Sequence, residues 1–139
     1  MNVIECTDRK LIESTYCVTS QLYNFDIETY VSYIEEMKSS DYKLFSMNND
    51  DGLCVAVVGY RVGRRLYCGK YLHIDNLIVS KDVRSKGLAK KLIDFCKEEA
   101  SKSKCDVILA DSYVENRNAH RLFLREKFHI RGFHFKFDL

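Results

Sequence analysis

The chain has 139 residues, of which 46% are hydrophobic and 30% are charged, and its formal net charge is +2. This length fits one domain with its own core, so we expect a single domain over residues 1–139 and no second one. A charge this close to neutral gives no indication of a nucleic-acid partner. The longest apolar stretch, residues 53–60, is far too short to cross a bilayer, so no membrane association is expected.

The cysteines and histidines indicate neither a disulfide framework nor a metal site. Neither residue type shows the close pairing that zinc sites use, so we expect no metal. The N-terminus lacks the apolar core of a secretion signal. We therefore expect a cytoplasmic protein whose thiols are reduced. The six cysteines are at positions 6, 17, 54, 68, 96 and 105.

Helices and strands are predicted along the whole chain, which has no proline and no linker. The predicted strands are 2–6, 43–47, 53–62, 71–79, 107–110 and 128–137. The predicted helices are 8–23, 27–37, 87–102 and 118–126. In the last strand, Phe133, Phe135 and Phe137 alternate with polar residues, which is the period of a half-buried strand. The order predicts an α/β fold with a central mixed β-sheet (α+β type) and helices on both faces.

Residues 75–89 carry the most informative pattern. An apolar strand ending at Val79 gives way to a basic turn with Arg84, Lys86 and Gly87, and helical spacing begins directly afterwards. Unpartnered N–H groups and the positive end of the helix dipole both favour a bound anion there. The pattern indicates a phosphate site, although an ordinary strand-turn-helix connection with a solvated basic loop has the same elements.

This turn is neither a P-loop nor a Rossmann fingerprint, because it lacks both Gly-Lys-Ser/Thr and Gly-x-Gly-x-x-Gly. It resembles instead the acetyl-CoA signature Arg/Gln-x-x-Gly-x-Gly/Ala of the GCN5-related N-acetyltransferase (GNAT) superfamily. The matching residues are Arg84, Ser85, Lys86, Gly87, Leu88 and Ala89. Val79 precedes Arg84 by five residues, as in the family's Val-x-Pro-x-x-Arg, with Lys81 in place of the proline.

A second stretch carries the same resemblance. Asn116, Ala119 and Phe123, followed by Phe128, look like the family's Asn-x-x-Ala-x-x-Leu-Tyr-x-x-x-Gly-Phe. The segment 105–135 is similar to a small bacterial branch near the aminoglycoside-type acetyltransferases. The motifs together cover nearly half of the chain.

The resemblance implies the GNAT acyl-CoA N-acyltransferase fold, with acetyl-CoA as cosubstrate. The cofactor would lie where strands 71–79 and 107–110 separate, with its pyrophosphate at residues 84–89. Strand residues 77–79 would contact the pantetheine arm and the thioester carbonyl, chiefly through backbone N–H groups. The cofactor-binding residues implied are thus Leu77, Ile78, Val79, Arg84, Ser85, Lys86, Gly87, Leu88, Ala89, Asn116 and Phe123.

Acetyl transfer to an amine needs a proton acceptor, because an alkylammonium with a pKa near ~10 cannot attack. By resemblance, Asp75 occupies the place where many members carry a carboxylate for this role. The residues themselves leave an alternative open, a structural ion pair between Asp75 and His73 on one strand face. Asn76 then points to the opposite face and looks structural.

Phe123 departs from the family, which usually has a tyrosine here whose hydroxyl protonates the CoA sulfur. Tyr113, at the exit of strand 107–110, is a candidate substitute, although a packing tyrosine explains it as well. Asn116 can equally be a helix N-terminal cap. His120, in a first helical turn, is expected to be solvated.

By resemblance, the acceptor amine enters beside residues 23–33, where Asp26, Glu28, Tyr30 and Tyr33 suit a cationic amine of the polyamine or aminoglycoside type. An amphipathic helix with a solvated acidic face explains the same residues. We expect an N-acetyltransferase that acetylates a small primary amine by direct attack in a ternary complex. A protein or peptide acetyltransferase, or a non-catalytic acyl-CoA-binding sensor or partner subunit, remains an alternative. A homodimer through the phenylalanine-rich terminal strand is a further expectation.

Overall fold

The structure is a computed structural model that describes residues 2–84 and 86–139. Its strands are β1 (Asn2–Glu5), β2 (Tyr42–Asn48), β3 (Cys54–Arg65), β4 (Gly69–Val79) and β5 (Val107–Ala110). Its helices are α1 (Arg9–Ser14), α2 (Tyr16–Thr19), α3 (Ile27–Lys38), α4 (Leu88–Lys102) and α5 (Arg117–Arg125), with a 3₁₀ turn at Lys81–Val83. The predicted elements are present in the predicted order, apart from the last strand and one interruption.

The interruption divides the helix predicted over residues 8–23 into α1 and α2. Thr15 separates them, and its buried hydroxyl donates to the carbonyl of Ile12 at 2.6 Å. The same oxygen lies 2.7 Å from the Tyr30 hydroxyl on α3. A threonine hydroxyl that bonds the preceding turn competes with the backbone pattern of a continuous helix, and here it also ties α3 to the break.

The five strands form one mixed sheet in the order β1-β2-β3-β4-β5. The pairs β1–β2, β2–β3 and β3–β4 are antiparallel, and the pair β4–β5 is parallel. Helix α4 packs on one face of the sheet in an apolar cluster around Leu92, which is fully buried. Helices α1, α2 and α3 cover the other face around Val31 and Val57. The predicted mixed sheet with helices on both faces is confirmed.

A β-bulge in β4 decides which side chains reach which face. Gly59 of β3 pairs with Asn76, but the next residue of β3 pairs with Ile74, so Asp75 is the extra residue. One extra residue reverses the alternation of side chains beyond it. Ile74 and Leu77 therefore both pack on the α4 side, whereas Asn76 faces the α1–α3 side.

The C-terminal segment, residues 128–139, does not form the strand predicted for 128–137, since nothing in the described chain pairs with it as a strand. Three of its phenylalanine side chains are exposed, those of Phe133, Phe135 and Phe137. An alternating pattern gives a half-buried strand only where a sheet edge accepts the backbone groups. This tail reaches the sheet at the end of β5, where His134 Nδ1 lies 3.4 Å from Asp111 Oδ2.

None of the helices in the described ranges has the length and apolar character that crossing a membrane requires. All six cysteines are free thiols.

Candidate active site

The site begins where β4 and β5 separate. Their pairing ends at Ile74 and Ala110, so across residues 75–79 that edge of β4 has no strand partner in the described chain. Ser80 N–H donates to the carbonyl of Val55 on β3 at 2.9 Å. Successive residues of a strand turn their N–H groups to opposite edges, so the N–H groups of Val79 and Leu77 face the open edge. The predicted backbone donors are thus directed away from β3.

The basic turn joins this strand to α4. Arg84 and Lys86 are exposed, and Gly87 precedes the helix with a φ of +73°. A Cβ at Gly87 would meet nothing within 4 Å, so space does not restrict this position. Glycine is favoured here because of the left-handed φ. The first backbone hydrogen bond of α4 runs from Lys91 N–H to the carbonyl of Gly87, at 3.1 Å. Ser85, one of the predicted binding residues, lies outside the described residues.

The first N–H groups of α4 therefore point out of the helix end without an intrahelical carbonyl. They belong to Leu88, Ala89 and Lys90. Leu88 buries its side chain in the α4-side core, so only its backbone can serve a ligand. The helix dipole and the two exposed cations add to the same positive potential. This helix end can accept an anionic group such as a pyrophosphate.

Helix α5 follows β5 along the chain and begins after Asn116. Asn116 is its N-cap, because its Oδ1 accepts from Ala119 N–H at 3.1 Å. Its amide nitrogen is a second polar group at this helix end. His120, expected to be solvated, is half-buried, and its Nε2 lies 2.9 Å from the carbonyl of Tyr113. A carbonyl only accepts, so Nε2 carries the proton and donates.

Phe123, where the family usually has a tyrosine, and Tyr113, the candidate substitute for that tyrosine, differ in their surroundings. The ring of Phe123 packs against Phe128, with the centroids 5.2 Å apart. Tyr113 is 77% exposed, so it is not the packing residue that the alternative interpretation required. Its hydroxyl is available to solvent and to ligands near the end of β5.

Asp75 forms an ion pair, but not with His73. Its Oδ2 lies 2.7 Å from Nε of Arg61, the residue next to Tyr60 on β3. His73 lies instead between Arg65 Nη1 and Asp111 Oδ2, each at 3.2 Å. The alternative His73–Asp75 pair is wrong, because Asp75 is the unpaired residue of the bulge and its carboxylate reaches Arg61, while the His73 ring contacts Asp111 beyond the end of β5.

A cavity of about 280 Å³ lies on the α1–α3 side of β4. Asn76 lines it and forms a hydrogen-bonded chain with two tyrosines. The Tyr42 hydroxyl donates to Asn76 Oδ1 at 2.6 Å, and Asn76 Nδ2 donates to the Tyr23 hydroxyl at 3.1 Å. Burial raises the pKa of Tyr42 well above its ordinary value, so this phenol stays protonated and keeps donating.

Gly59 leaves room for the hydrogen-bonded side chains of Tyr42 and Asn76. A Cβ there would overlap the Tyr42 hydroxyl and lie 2.8 Å from Asn76 Oδ1. Sequence reasoning assigned Asn76 a structural place and missed its position in the cavity. The available signal was a glycine inside the apolar run 53–60, which marks a bulge or a close approach of neighbouring groups.

The fold and these features can be compared with known proteins. The model of the Acetyltransferase (GNAT) family matches residues 11–128. The chain belongs to the GNAT acetyltransferase family. It is therefore an N-acetyltransferase, and the resemblance drawn from residues 84–89 and 116–128 is confirmed.

A relative in Bacillus subtilis, the uncharacterized N-acetyltransferase YhdJ, is 26% identical over 121 residues, which is 86% of this chain and 84% of that protein. The ribosomal-protein-alanine N-acetyltransferase from Brucella melitensis biovar Abortus has a TM-score of 0.85 at 13% identity, with 100% of both chains covered. The aminoglycoside N-acetyltransferase AAC(6')-Iy, solved in complex with CoA, has a TM-score of 0.85 at 15% identity, with 99% of this chain and 93% of that chain covered. At these identities the two structures are evidence for the fold.

Proposed function

We propose that this enzyme transfers the acetyl group of acetyl-CoA to the primary amine of a small molecule by direct attack in a ternary complex. The observation that carries the proposal is the open edge of β4, which leads into the N-terminus of α4, where the N-cap residue is a glycine. The N–H groups of Leu77 and Val79 suit the pantetheine arm and thioester carbonyl, and the α4 N-terminus suits the pyrophosphate. The structural neighbour AAC(6')-Iy holds CoA in its crystals, which supports the same cosubstrate.

In this reaction the amine nitrogen forms a bond to the acetyl carbon, the thioester C–S bond breaks, and the sulfur leaves with the electron pair. The amine gives up a proton, and the sulfur takes one or leaves as thiolate. A thiol pKa near ~8.5 makes the thiolate a tolerable leaving group. Holding both reactants in place can supply about 7–11 kcal/mol of the barrier, so the absence of a hydroxyl at Phe123 slows the reaction without preventing it.

Asp75 is the proposed proton acceptor, acting through water. Arg61 holds its carboxylate at 2.7 Å, and the Asp75 side chain is still 25% exposed. That exposure leaves a carboxylate oxygen able to accept a hydrogen bond from a water molecule. Asp75→Asn should therefore lower kcat while leaving the affinity for acetyl-CoA, measured by calorimetry, unchanged.

Tyr113 is the proposed proton donor to the leaving sulfur, since its exposed hydroxyl lies at the exit of β5. Loss of a general acid typically costs about 10²- to 10⁴-fold in rate. A Tyr113→Phe variant should lose kcat by about that factor at the low end. Unchanged kcat would remove Tyr113 from the mechanism.

The test of the proposed function is release of free CoA from acetyl-CoA in the presence of amines. The wild type is compared with Arg84→Ala/Gly87→Asp, and binding of acetyl-CoA is measured by calorimetry on both. Amine-dependent release that the double variant loses, together with acetyl-CoA affinity, supports the proposal. Tight acetyl-CoA binding without release for any amine points to the non-catalytic acyl-CoA module, and absence of binding contradicts both.

A homodimer is also proposed. The exposed phenylalanines of the tail and the unpaired outer edge of β5, within the described residues, are two surfaces that a second copy would cover. Light scattering should give twice the monomer mass for the wild type. A Phe133→Glu/Phe135→Glu variant should give the monomer mass with unchanged circular dichroism. A monomeric wild type contradicts the proposal.

A further inference from the structure

The cavity on the α1–α3 side of β4 is lined mainly by aromatic rings. At about 280 Å³ it is close to the lower end of small-molecule sites, roughly 300–1,000 Å³. Its rings belong to Tyr23, Phe25, Tyr30, Tyr33 and Tyr42. A cavity of this size takes one ring or one short alkyl chain, and not a multi-ring sugar.

The acidic side chains near this cavity are engaged elsewhere. Asp26 caps α3, where its Oδ1 accepts from Thr29 N–H at 2.7 Å. Glu28 pairs with Arg9 at 2.7 Å. Of the described residues that line the cavity, none is Asp, Glu, Lys or Arg. A second or third ammonium group would therefore be desolvated without a countercharge, which is costly.

The polar groups of the cavity suit a single nitrogen. Asn76 Oδ1 has one lone pair occupied by Tyr42 and a second to offer, and the Tyr23 hydroxyl can accept as well. Two convergent acceptors match the N–H groups of one amine. The faces of the surrounding tyrosines favour a cation or an apolar body beside it.

We propose that this cavity binds the acceptor as a monoamine on an aromatic or short aliphatic body, with its nitrogen at Asn76 and Tyr23. The carbon body then lies between the rings of Phe25, Tyr30 and Tyr33. The proposal rests on the proposed function, because Asn76 directly precedes Leu77, whose N–H faces the cosubstrate edge. It replaces the expected polyamine or aminoglycoside with an apolar monoamine.

The first test is a panel of amines in the CoA-release assay. Phenethylamine and hexylamine represent the proposed class, and spermidine and kanamycin represent polycations. The proposal expects kcat/KM for phenethylamine at least about tenfold above that for either polycation. A higher kcat/KM for spermidine or kanamycin would overturn it.

A charge placed in the cavity provides the second test. Tyr33 is 46% exposed, so Tyr33→Glu can fold, and it adds the carboxylate that the lining lacks. Tyr33→Glu should lower kcat/KM for phenethylamine about tenfold and raise it for spermidine, while Tyr33→Phe retains the wild-type preference. Leu66→Glu, at a fully exposed hairpin position, is the matched control and should change neither substrate.

Binding is measured separately by ligand-detected NMR of phenethylamine with CoA present. Saturable binding that Tyr33→Glu weakens supports the proposal even if turnover is slow, whereas absence of binding, or binding unaffected by Tyr33→Glu, contradicts it. Calorimetry with acetyl-CoA keeps the two proposals apart. Failure to bind acetyl-CoA contradicts the proposed function, whereas normal acetyl-CoA binding with polycation preference contradicts only the acceptor assignment.

Discussion

The two faces of the sheet are built differently, although the same strands form both. On the α4 face, the side chains are apolar and closely packed, as around Leu72 and Leu92, which are fully buried. On the α1–α3 face, tyrosine hydroxyls and Asn76 form a hydrogen-bonded chain beside a cavity. One face of this sheet is therefore a closely packed core, while the other is less densely packed and contains the cavity proposed to bind the acceptor.

The α4 face of the sheet should be sensitive to loss of side-chain volume. Leu92→Ala removes a fully buried side chain, and such changes typically cost about 2–5 kcal/mol. The free energy of unfolding in urea should fall by that amount. Leu66→Ala, at an exposed position, should change it by less than about 0.5 kcal/mol. Equal effects at the two positions would contradict the burial of Leu92 in the α4-side core.

The α1–α3 face should be sensitive to added volume at Gly59. Gly59→Ala places a methyl group against the Tyr42 hydroxyl and Asn76 Oδ1, so one of them must move. Overpacking of this kind typically costs about 1–3 kcal/mol, measured as the free energy of unfolding. The displaced Asn76 should also raise KM for the amine more than KM for acetyl-CoA.

Gly132→Ala is the matched control for that variant, because a Cβ at Gly132 meets nothing within 4 Å. It should leave stability and both KM values unchanged. If Gly59→Ala behaved in the same way, the Tyr42–Asn76 chain would have no bearing on the acceptor side.

Part of this comparison could be predicted from the sequence. The order of elements followed from periodicity, and the turn before α4 followed from the basic residues and Gly87. Periodicity did not locate the bulge, because a period-two interpretation assigns alternate residues to fixed faces and one extra residue at Asp75 reverses that assignment; Gly59, opposite the bulge, was the available signal. Asn76 was therefore missed, and Asp75 was given the wrong alternative partner.

In the C-terminal tail, the sequence pattern predicted a strand that the structure does not contain. Alternation of Phe133, Phe135 and Phe137 predicts a strand correctly only if an edge is present to pair with it. The local pattern contains no information on that edge, which belongs to β5 or to another chain.

The free energy of unfolding should depend on pH because each face of the sheet buries a thiol, Cys96 on the α4 face and Cys54 on the α1–α3 face. Burial raises the pKa of Cys54 and of Cys96 to about 12. Unfolded thiols titrate near ~8.5, so above that pH the unfolded state loses protons that the native state keeps. The free energy of unfolding should therefore fall as pH rises from about 8.5 towards 12, by up to about 1.4 kcal/mol per pH unit for each thiol.

Urea unfolding between about pH 8 and pH 9.5 with a reductant tests this below the range where exposed tyrosines ionise. Cys54→Ala and Cys96→Ala should each flatten the dependence, one on each face of the sheet. A slope that neither variant changes would contradict the burial of these thiols.

The smallest expected effect on stability is at the turn before α4. Gly87→Ala forces a left-handed φ on a residue with a Cβ, which costs roughly 1–2 kcal/mol. Because nothing lies within 4 Å of that Cβ, the strain acts on the turn itself. Affinity for acetyl-CoA should fall by calorimetry, while the amine preference stays the same. A changed amine preference would contradict the separation of the cosubstrate edge from the acceptor cavity.

The most direct measurement is a crystal structure of the protein with CoA and phenethylamine. The account predicts the pyrophosphate at the N-terminal N–H groups of α4, the pantetheine along residues 77–79 of β4, and the amine nitrogen within hydrogen-bond distance of Asn76. Phenethylamine bound elsewhere with the tyrosine-lined cavity closed, or CoA bound away from the turn at Gly87, would contradict it.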